Sequence, residues 1–439
     1  MTTDSRPPSS AIGPVAAARR IESIDSLRGV ALLGILVMNI TGFAFPFAAY
    51  FNPTVYGGSS GLNFGAWVFA HLFFELKMMG IFSMLFGAGV ILMTQRAEAA
   101  GRPFGRIHYR RMFWLLVIGL IHAYLLWHGD ILVTYALCGL VLFLFRRRSP
   151  RTLIISGLAV LTFGALLASG GGFAELQLRN VVQEIETKVA AGEEMTPRRQ
   201  ALVRQWNDLR HSFAPTPEEI DETIATMRGD LGTVLKANIK EAVMMHTQAV
   251  PFSLFWRAMG MMLLGMALMK LGVFAAQRSR RFYRNWMIAG FGLGLPLVAF
   301  GIWRWSVHDF DFVYSFLIDG QYNYFGHVLV VMGYISAAML VCQSGALLGL
   351  RARLAAVGRT AFSNYLLQTV IGVSLFYGYG LGLFGHIGRF NLWWFILGIW
   401  LFQLIISPWW LERFRFGPVE WLWRTLTYWK LQPMRASDR

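Results

Sequence analysis

Ten apolar stretches constrain this chain more than anything else in it. They cover residues 29–50, 65–94, 110–128, 130–146, 152–172, 251–271, 284–304, 324–348, 361–383 and 391–411. A bilayer core about 30 Å thick is crossed by roughly 20 helical residues. A helix satisfies its own backbone hydrogen bonds, which lipid cannot do for it. The pattern therefore predicts an all-α polytopic membrane protein with about ten transmembrane helices. The second stretch is long enough to tilt or break, and Gly80, Gly87 and Gly89 are where a bend is expected.

The connections alternate in charge. Arg96, Arg102, Arg106, Arg110 and Arg111 follow the second stretch, and RRRSPR from Arg146 to Arg151 follows the fourth. Lys270, Arg278, Arg280, Arg281 and Arg284 follow the sixth, and Arg351, Arg353 and Arg359 the eighth. The C-terminal tail adds Arg413, Arg415, Arg424, Lys430, Arg435 and Arg439. The short connections between are different: residues 51–64 carry no charge, and the turn His128–Gly129–Asp130 carries only its Asp. By the positive-inside rule both termini lie in the cytoplasm, with the protein in the cell (inner or plasma) membrane.

This asymmetry accounts for a formal net charge of +16 without a nucleic-acid partner, since no soluble domain carries a basic stripe. The expected partner is the lipid bilayer. Charged residues make up 15% of the chain against about 25% in soluble domains, which fits a surface that faces lipid. Cys138 and Cys342 sit inside apolar stretches and read as small buried residues, with no disulfide framework.

Residues 173–250 are the one long polar insertion and hold 12 of the 24 acidic residues, against nine Lys and Arg. They should lie outside as two or three amphipathic helices, or serve as a mere spacer. TPEEIDETIATM reads as a helix start, with Thr216 as N-cap and Pro217 in the first turn. The insertion divides the chain into an N-terminal five-helix bundle (21–172) and a C-terminal five-helix bundle (251–412). Five is odd, so related halves would be inverted as in several transporters, though no internal repeat is evident. Residues 1–20 read as a disordered cytoplasmic tail. Residues 413–439 read as an interfacial helix and tail: Pro418 starts it, Val419, Leu422, Trp423, Leu426 and Trp429 share one face, and Glu420, Arg424 and Lys430 lie largely elsewhere.

Ionisable groups at membrane depth are expensive, so each is a functional candidate. His122 is foremost. It stands six residues before the end of its stretch, about 9 Å inside, among apolar neighbours. Imidazole serves as a general base near neutral pH, and Asp130 opens the next helix after a tight turn. The plainer reading is a histidine bonded to a neighbouring helix. Glu75 and Lys77 are about 200° apart on a helix, so they should not pair with each other. Each needs a partner on another helix, and Glu75 alternatively reaches His71. His327 lies near the start of the eighth stretch. Asp25 and Arg28 form an i,i+3 pair at the start of the first stretch, either an anchoring ion pair or a grip on an anionic ligand. Asn39, Asn364 and Gln368 are amides within spans, of a kind that often bonds helix to helix. His128 and Asp130 have a metal-like spacing, but no clustered ligand set accompanies them, so no metal site is expected.

RIESIDSLRGVALLGILVMNI with AAYFNPTVYGG, IGLIHAYLLWHGDILVTYALCGLVL, GRTAFSNYLLQTVIGVSLFYGYGLG and GPVEWLWRTLT together resemble the YeiB family of bacterial inner-membrane proteins, from about residue 20 to 431. The family's C-terminal half is a domain of unknown function. Ser23, Asp25, Arg28 and Gly29 form S-x-D-x-x-R-G, which resembles the first-helix start of transmembrane acyltransferases such as the lysosomal heparan acetyltransferase. That resemblance implies transfer of an acyl group from cytosolic acyl-CoA to an acceptor across the membrane, with a catalytic histidine in the bundle. The loop after the first helix carries a histidine in that enzyme. Residues 44–64 here carry none, which leaves His122 and His71.

The first expectation is therefore acyl transfer. Arg28 and Arg359 would hold the CoA phosphates, and His122 would act as base with Asp130 orienting it. Asn364 and Gln368 would polarise the thioester. Acyl-CoA would be a co-substrate rather than a bound cofactor, and a small molecule, lipid or glycan the acceptor. The alternatives are a transporter of a small or amphiphilic solute, favoured by the five-plus-five arrangement and the Glu75/Lys77 pair at depth, and a non-catalytic scaffold; His71, Glu75 and Lys77 are the charged candidates within the membrane. The sequence leaves a homodimer open.

Overall fold

The computed structural model describes residues 21–101 and 103–435. The expected disordered tail at 1–20 lies outside the described residues, as do Arg102 and Arg439. The first half runs through α1 (Glu22–Ala44), the short α2 (Ala48–Phe51), α3 (Gly61–Phe73), α4 (Lys77–Ala99), α5 (Gly105–Leu125), α6 (Leu132–Leu142) and α7 (Pro150–Ala190). The insertion adds α8 (Pro197–Phe213), α9 (Pro217–Met227) and α10 (Leu231–Met244). The second half is α11 (Phe255–Lys270), α12 (Arg280–Val307), the short α13 (Phe312–Tyr314), α14 (Gly320–Ser344), α15 (Leu348–Arg359), α16 (Ala361–Phe376), α17 (Leu392–Arg413) and α18 (Pro418–Tyr428). The described residues contain no strand, only an isolated bridge between Phe414 and Arg435.

This is an all-α polytopic membrane protein. Each of the ten expected stretches coincides with helix, and among the described residues seven helical segments are long and apolar enough to cross a membrane by themselves. The other three are α5, whose first turns hold Arg106, Arg110 and Arg111, and the short apolar segments Leu132–Phe145 and Ala361–Phe376. Two faces can be distinguished. The basic face is the one at which α1 begins; the insertion face is opposite.

The second stretch breaks, but not at its glycines. The interruption is at residues 74–76, where Leu76 takes φ +61°, a left-handed conformation that costs an ordinary side chain of the order of 1 kcal/mol. The charged residues stabilise it. Lys77 Nζ donates to the carbonyl of His71, 2.7 Å away, in the last turn of α3, and Glu75 stands just before the first turn of α4. Those are the ends at which a helix favours a cation and an anion respectively. Gly87 serves packing instead of bending: a Cβ there would lie 2.0 Å from Met262 O, and one at Gly265 would lie 2.0 Å from Met84 O. Helices α4 and α11 thus cross backbone against backbone. Gly265→Ala should lower stability by about 1–3 kcal/mol, read as an earlier thermal unfolding transition in detergent.

The two five-helix sets interlock and share their cores. Helix α1 packs on α15, α16 and α17, while α11 packs on both α4 and α7. One buried cluster joins Leu32 and Met112 to Met262 and Tyr365. The motif at the start of α1 is part of this joint. Ser23 Oγ donates to Phe274 O at 2.7 Å and Ser26 Oγ to Arg351 O at 3.2 Å. A Cβ on Gly358 would meet Asp25 O at 1.9 Å.

The insertion is more than a spacer. Thr216 and Glu219 form the N-terminal capping box of α9, with Pro217 in the first turn as the sequence implies. Ile220, Ile224, Met227 and Val234 enter one core with Phe43 and Phe376. Arg228 Nε donates to Phe384 O at 2.7 Å. At the basic face α18 docks on α5, with Trp423 Nε1 donating to Arg111 O at 3.0 Å. Glu420, expected away from the packed face, is buried. Its carboxylate accepts from the backbone N–H of Phe362 and Ser363 and from the Ser363 hydroxyl, capping α16. Burial pushes the Glu420 carboxyl up, and these three donors pull it back.

Candidate active site

Helix α5 ends at Leu125, three residues earlier than the apolar run implied, which places His122 in its last turn. The chain turns through Leu126–Gly129, and Asp130 arrives beside the imidazole. Asp130 Oδ2 accepts from Val133 N at 2.7 Å, which holds the carboxylate against the first turn of α6. Its Oδ1 lies 2.8 Å from His122 Nδ1. On the other side of the ring, Nε2 lies 2.9 Å from the hydroxyl of Thr369 in α16. All three side chains are buried. A carboxylate at Nδ1 assigns the proton to that nitrogen, so Nε2 carries the lone pair and accepts from the Thr369 hydroxyl. The result is a carboxylate–imidazole–hydroxyl chain.

Two further features bear on access. The insertion closes the site from its own face: Asn238 of α10 donates to Ala123 O at 2.9 Å and Tyr124 O at 3.2 Å and accepts from His128 N at 2.7 Å. Asn238 thereby satisfies carbonyls that the end of α5 leaves unpaired. The site is also flanked by two short helices, α6 of 11 residues and α16 of 16 residues. Their lengths are only about 17 and 24 Å, against a bilayer core of about 30 Å. Thr369 lies eight residues from Ala361, so about 12 Å from the basic-face end of its helix.

A second polar cluster occupies the break between α3 and α4. Asn323 of α14 accepts from Lys77 Nζ at 2.6 Å and donates to Glu75 Oε2 at 2.5 Å. One amide therefore serves both charges, because it offers an acceptor and a donor on one plane. Arg257 lies within electrostatic reach of Glu75. The expected alternative contact of Glu75 with His71 is not formed. His71 Nδ1 faces Trp67 O at 2.9 Å, and its Nε2 is buried without a partner, as is Nε2 of His327.

Residues 268–430 match the family described as "Protein of unknown function (DUF418)". The Escherichia coli (strain K12) protein "Uncharacterized protein YeiB" is 32% identical over 419 residues, which cover 92% of this chain and 95% of that one. The chain belongs to the YeiB family. YxaH of Bacillus subtilis (strain 168) is 29% identical over 98% of this chain and 100% of its own length. The 39.9 kDa protein in the amylase 3′ region of Bacillus acidopullulyticus is 26% identical over 94% of this chain and 96% of its own. No solved structure matches the chain.

In this YeiB-family chain the remaining candidates are spread between the two faces. Arg28, ion-paired to Asp25 at 3.0 Å and 3.4 Å from Gly358 O, lies at the basic-face end of α1, and Arg359 ends α15. The amides of α16 are committed to a ladder with α17. Asn364 Nδ2 donates to Ser407 Oγ at 2.9 Å, Gln368 Nε2 to Gln403 Oε1 at 2.9 Å, and Gln403 Nε2 to Asn364 O at 3.0 Å. Their donors face acceptors on α17 rather than His122, which is the helix-to-helix use. Asn39 is half-buried in α1. His128 Nδ1 faces Asn238 Oδ1 at 3.3 Å, and no group of three metal-ligating side chains occurs among the described residues. Sequence reasoning missed Thr369, Asn323, Arg257 and Arg389. The two arginines did leave a signal: both belong to the insertion side, where the charge alternation disfavours cations.

Proposed function

We propose that this protein is a transmembrane acyltransferase of the cell (inner or plasma) membrane, with its basic face in the cytoplasm. The single observation that carries the reading is the buried Asp130–His122–Thr369 chain. In the proposed reaction Thr369 Oγ1 attacks the thioester carbonyl of acyl-CoA while its proton passes to His122 Nε2. The C–S bond breaks, and the CoA thiolate leaves with the proton from His122. An acceptor hydroxyl or amine then attacks the Thr369 ester, gives its proton to His122, and takes the acyl group; Thr369 regains its proton. Asp130 stabilises the imidazolium in both halves. Thr369 stands about 12 Å from the basic-face end of α16, which favours entry of acyl-CoA from that face, while the insertion held by Asn238 would have to open for an acceptor from the other. Arg28 and Arg359, at the basic-face ends of α1 and α15, would hold the CoA phosphates. CoA is consumed as co-substrate, and the acceptor is a small molecule, lipid or glycan. The committed donors of Asn364 and Gln368 argue against their polarising the thioester.

The broken helix with Glu75, Lys77 and Asn323 favours a second reading, transport of a small or amphiphilic solute, since discontinuous helices carry binding sites in several transporters. One experiment separates the two. Folded protein in liposomes is given acetyl-CoA, thiol release is followed, and the Thr369 peptide is weighed by mass spectrometry. Thiol release with an acetyl group on Thr369 is the expected result. Neither signal, in protein that still elutes as a single species, would overturn the acyltransferase and direct attention to solute flux.

A further inference from the structure

A cleft of about 380 Å³ opens at the basic face, among the ends of α4 and α11 and the chain that follows α6. Its volume falls within the range of ligand pockets, roughly 300–1,000 Å³. Helix α6 starts beside Asp130 and is about 17 Å long, and Arg146 lies beyond its other end, so the cleft is separate from the His122 site. Ile91 and Thr94, both buried, line it together with Glu98, Arg146, Arg147 and Lys270. Three cations thus meet one carboxylate. Their present contacts use only part of their donors, since an ammonium offers three N–H and a guanidinium five. Lys270 Nζ donates to Arg148 O at 2.7 Å. Arg146 Nη1 donates to Phe143 O at 2.9 Å, with its guanidinium 3.8 Å from the Phe143 ring centre. Arg147 Nε and Nη2 both lie 3.1 Å from Glu98 Oε1, but these two side chains are exposed, and such a surface pair contributes little and yields readily to a ligand. Thr94 adds a hydroxyl that is buried without a partner.

We propose that this cleft binds the phosphate head group of an anionic membrane lipid. The charge calls for an anion, and arginine suits phosphate because its planar fork matches two oxygens. The position calls for a lipid. The cleft lies where the apolar spans give way to the basic run that starts at Arg146, which is head-group depth. Val141 and Leu144, just before that run, are exposed large apolar side chains, so acyl chains outside the cleft have an apolar surface to follow. Basic pockets between transmembrane helices are a recurrent place for anionic head groups. Helix α4 belongs to the first five-helix set and α11 to the second, so a lipid held between their ends fastens the two sets together. The inference stands independently of the acyl-transfer reading.

The test is calorimetric titration of the full chain, in an uncharged detergent, with dihexanoylphosphatidylglycerol, dihexanoylphosphatidylcholine, inorganic phosphate and acetyl-CoA as probes. Saturable binding of the phosphatidylglycerol is expected, together with a rise in unfolding temperature as it binds. Arg147 and Glu98 are exposed, so substituting them spares the fold. Arg147→Gln should weaken binding about fivefold, and Glu98→Gln, which frees Arg147, should tighten it by a similar factor. Arg151 is exposed in the same basic run but does not line the cleft, so Arg151→Gln should leave the affinity unchanged. An equal loss in Arg151→Gln would mean diffuse attraction to a basic surface and would overturn the site, as would unchanged affinity in Arg147→Gln. Equal binding of the phosphatidylcholine would overturn the role of charge. Equal binding of inorganic phosphate or acetyl-CoA, weakened by the same Arg147 substitution, would overturn the lipid as the ligand.

Discussion

His122→Ala is expected to reduce thiol release from acetyl-CoA by roughly 10²–10⁴-fold, the usual contribution of a positioned acid–base group. The size of the effect follows from the position of the ring. Nε2 lies 2.9 Å from Thr369 Oγ1, so without the imidazole that hydroxyl has no base to take its proton, only the Tyr365 carbonyl 3.5 Å away as a hydrogen-bond acceptor. Truncation also leaves Asp130 buried with one partner fewer, so loss of activity must be separated from loss of fold. Two milder variants do this. Thr369→Val keeps the shape and deletes only the hydroxyl; it should abolish acetyl labelling with little effect on the unfolding temperature. Asp130→Asn keeps the hydrogen-bonded outline but no longer stabilises an imidazolium, and should lose most of the rate. Full thiol release by well-folded His122→Ala or Thr369→Val protein would remove the triad from the reaction.

Asn323→Leu is expected to be the most destabilising single change, at about 3–5 kcal/mol. Leucine repeats the branched heavy-atom outline of asparagine, though its methyl groups are bulkier, so the effect is chiefly polar. The amide accepts from Lys77 at 2.6 Å and donates to Glu75 at 2.5 Å. Both charges are buried, and losing the amide strands them together. The same break holds Leu76 at φ +61°, so the junction of α3 and α4 should loosen first. Thermal unfolding in detergent, followed by intrinsic fluorescence, measures the shift. Neutralising both charges as Glu75→Gln with Lys77→Met in the Asn323→Leu background should recover part of the loss. No recovery would mean that Asn323 acts through packing.

His122 and Asp130 were legible because they are close in the chain. Eight residues and one tight turn separate them, so any antiparallel pairing of the two helices brings them together. The capping box at Thr216 and the start of α18 at Pro418 were legible for the same reason: caps are read from neighbours. The break in the second stretch does not fall where glycine frees the backbone. Gly87 is instead a contact point for α11, and the break follows the charged pair that can satisfy its ends. Helical periodicity puts Glu420 largely off the apolar face of α18. It is buried because the start of α16 needs an acceptor there.

The sequence by itself determined the class of protein, the helical segments and the alternation of charged connections. A membrane helix closes its own backbone hydrogen bonds, so length and apolarity are enough to specify it. Only the tertiary structure decided what each buried polar side chain meets. Thr369 reaches His122 across 247 positions of the chain, Asn323 reaches Lys77 across 246, and Arg389 reaches Ala49 across 340. Such partners are set by how helices pack side by side, and no local pattern encodes which face of one helix another will cover.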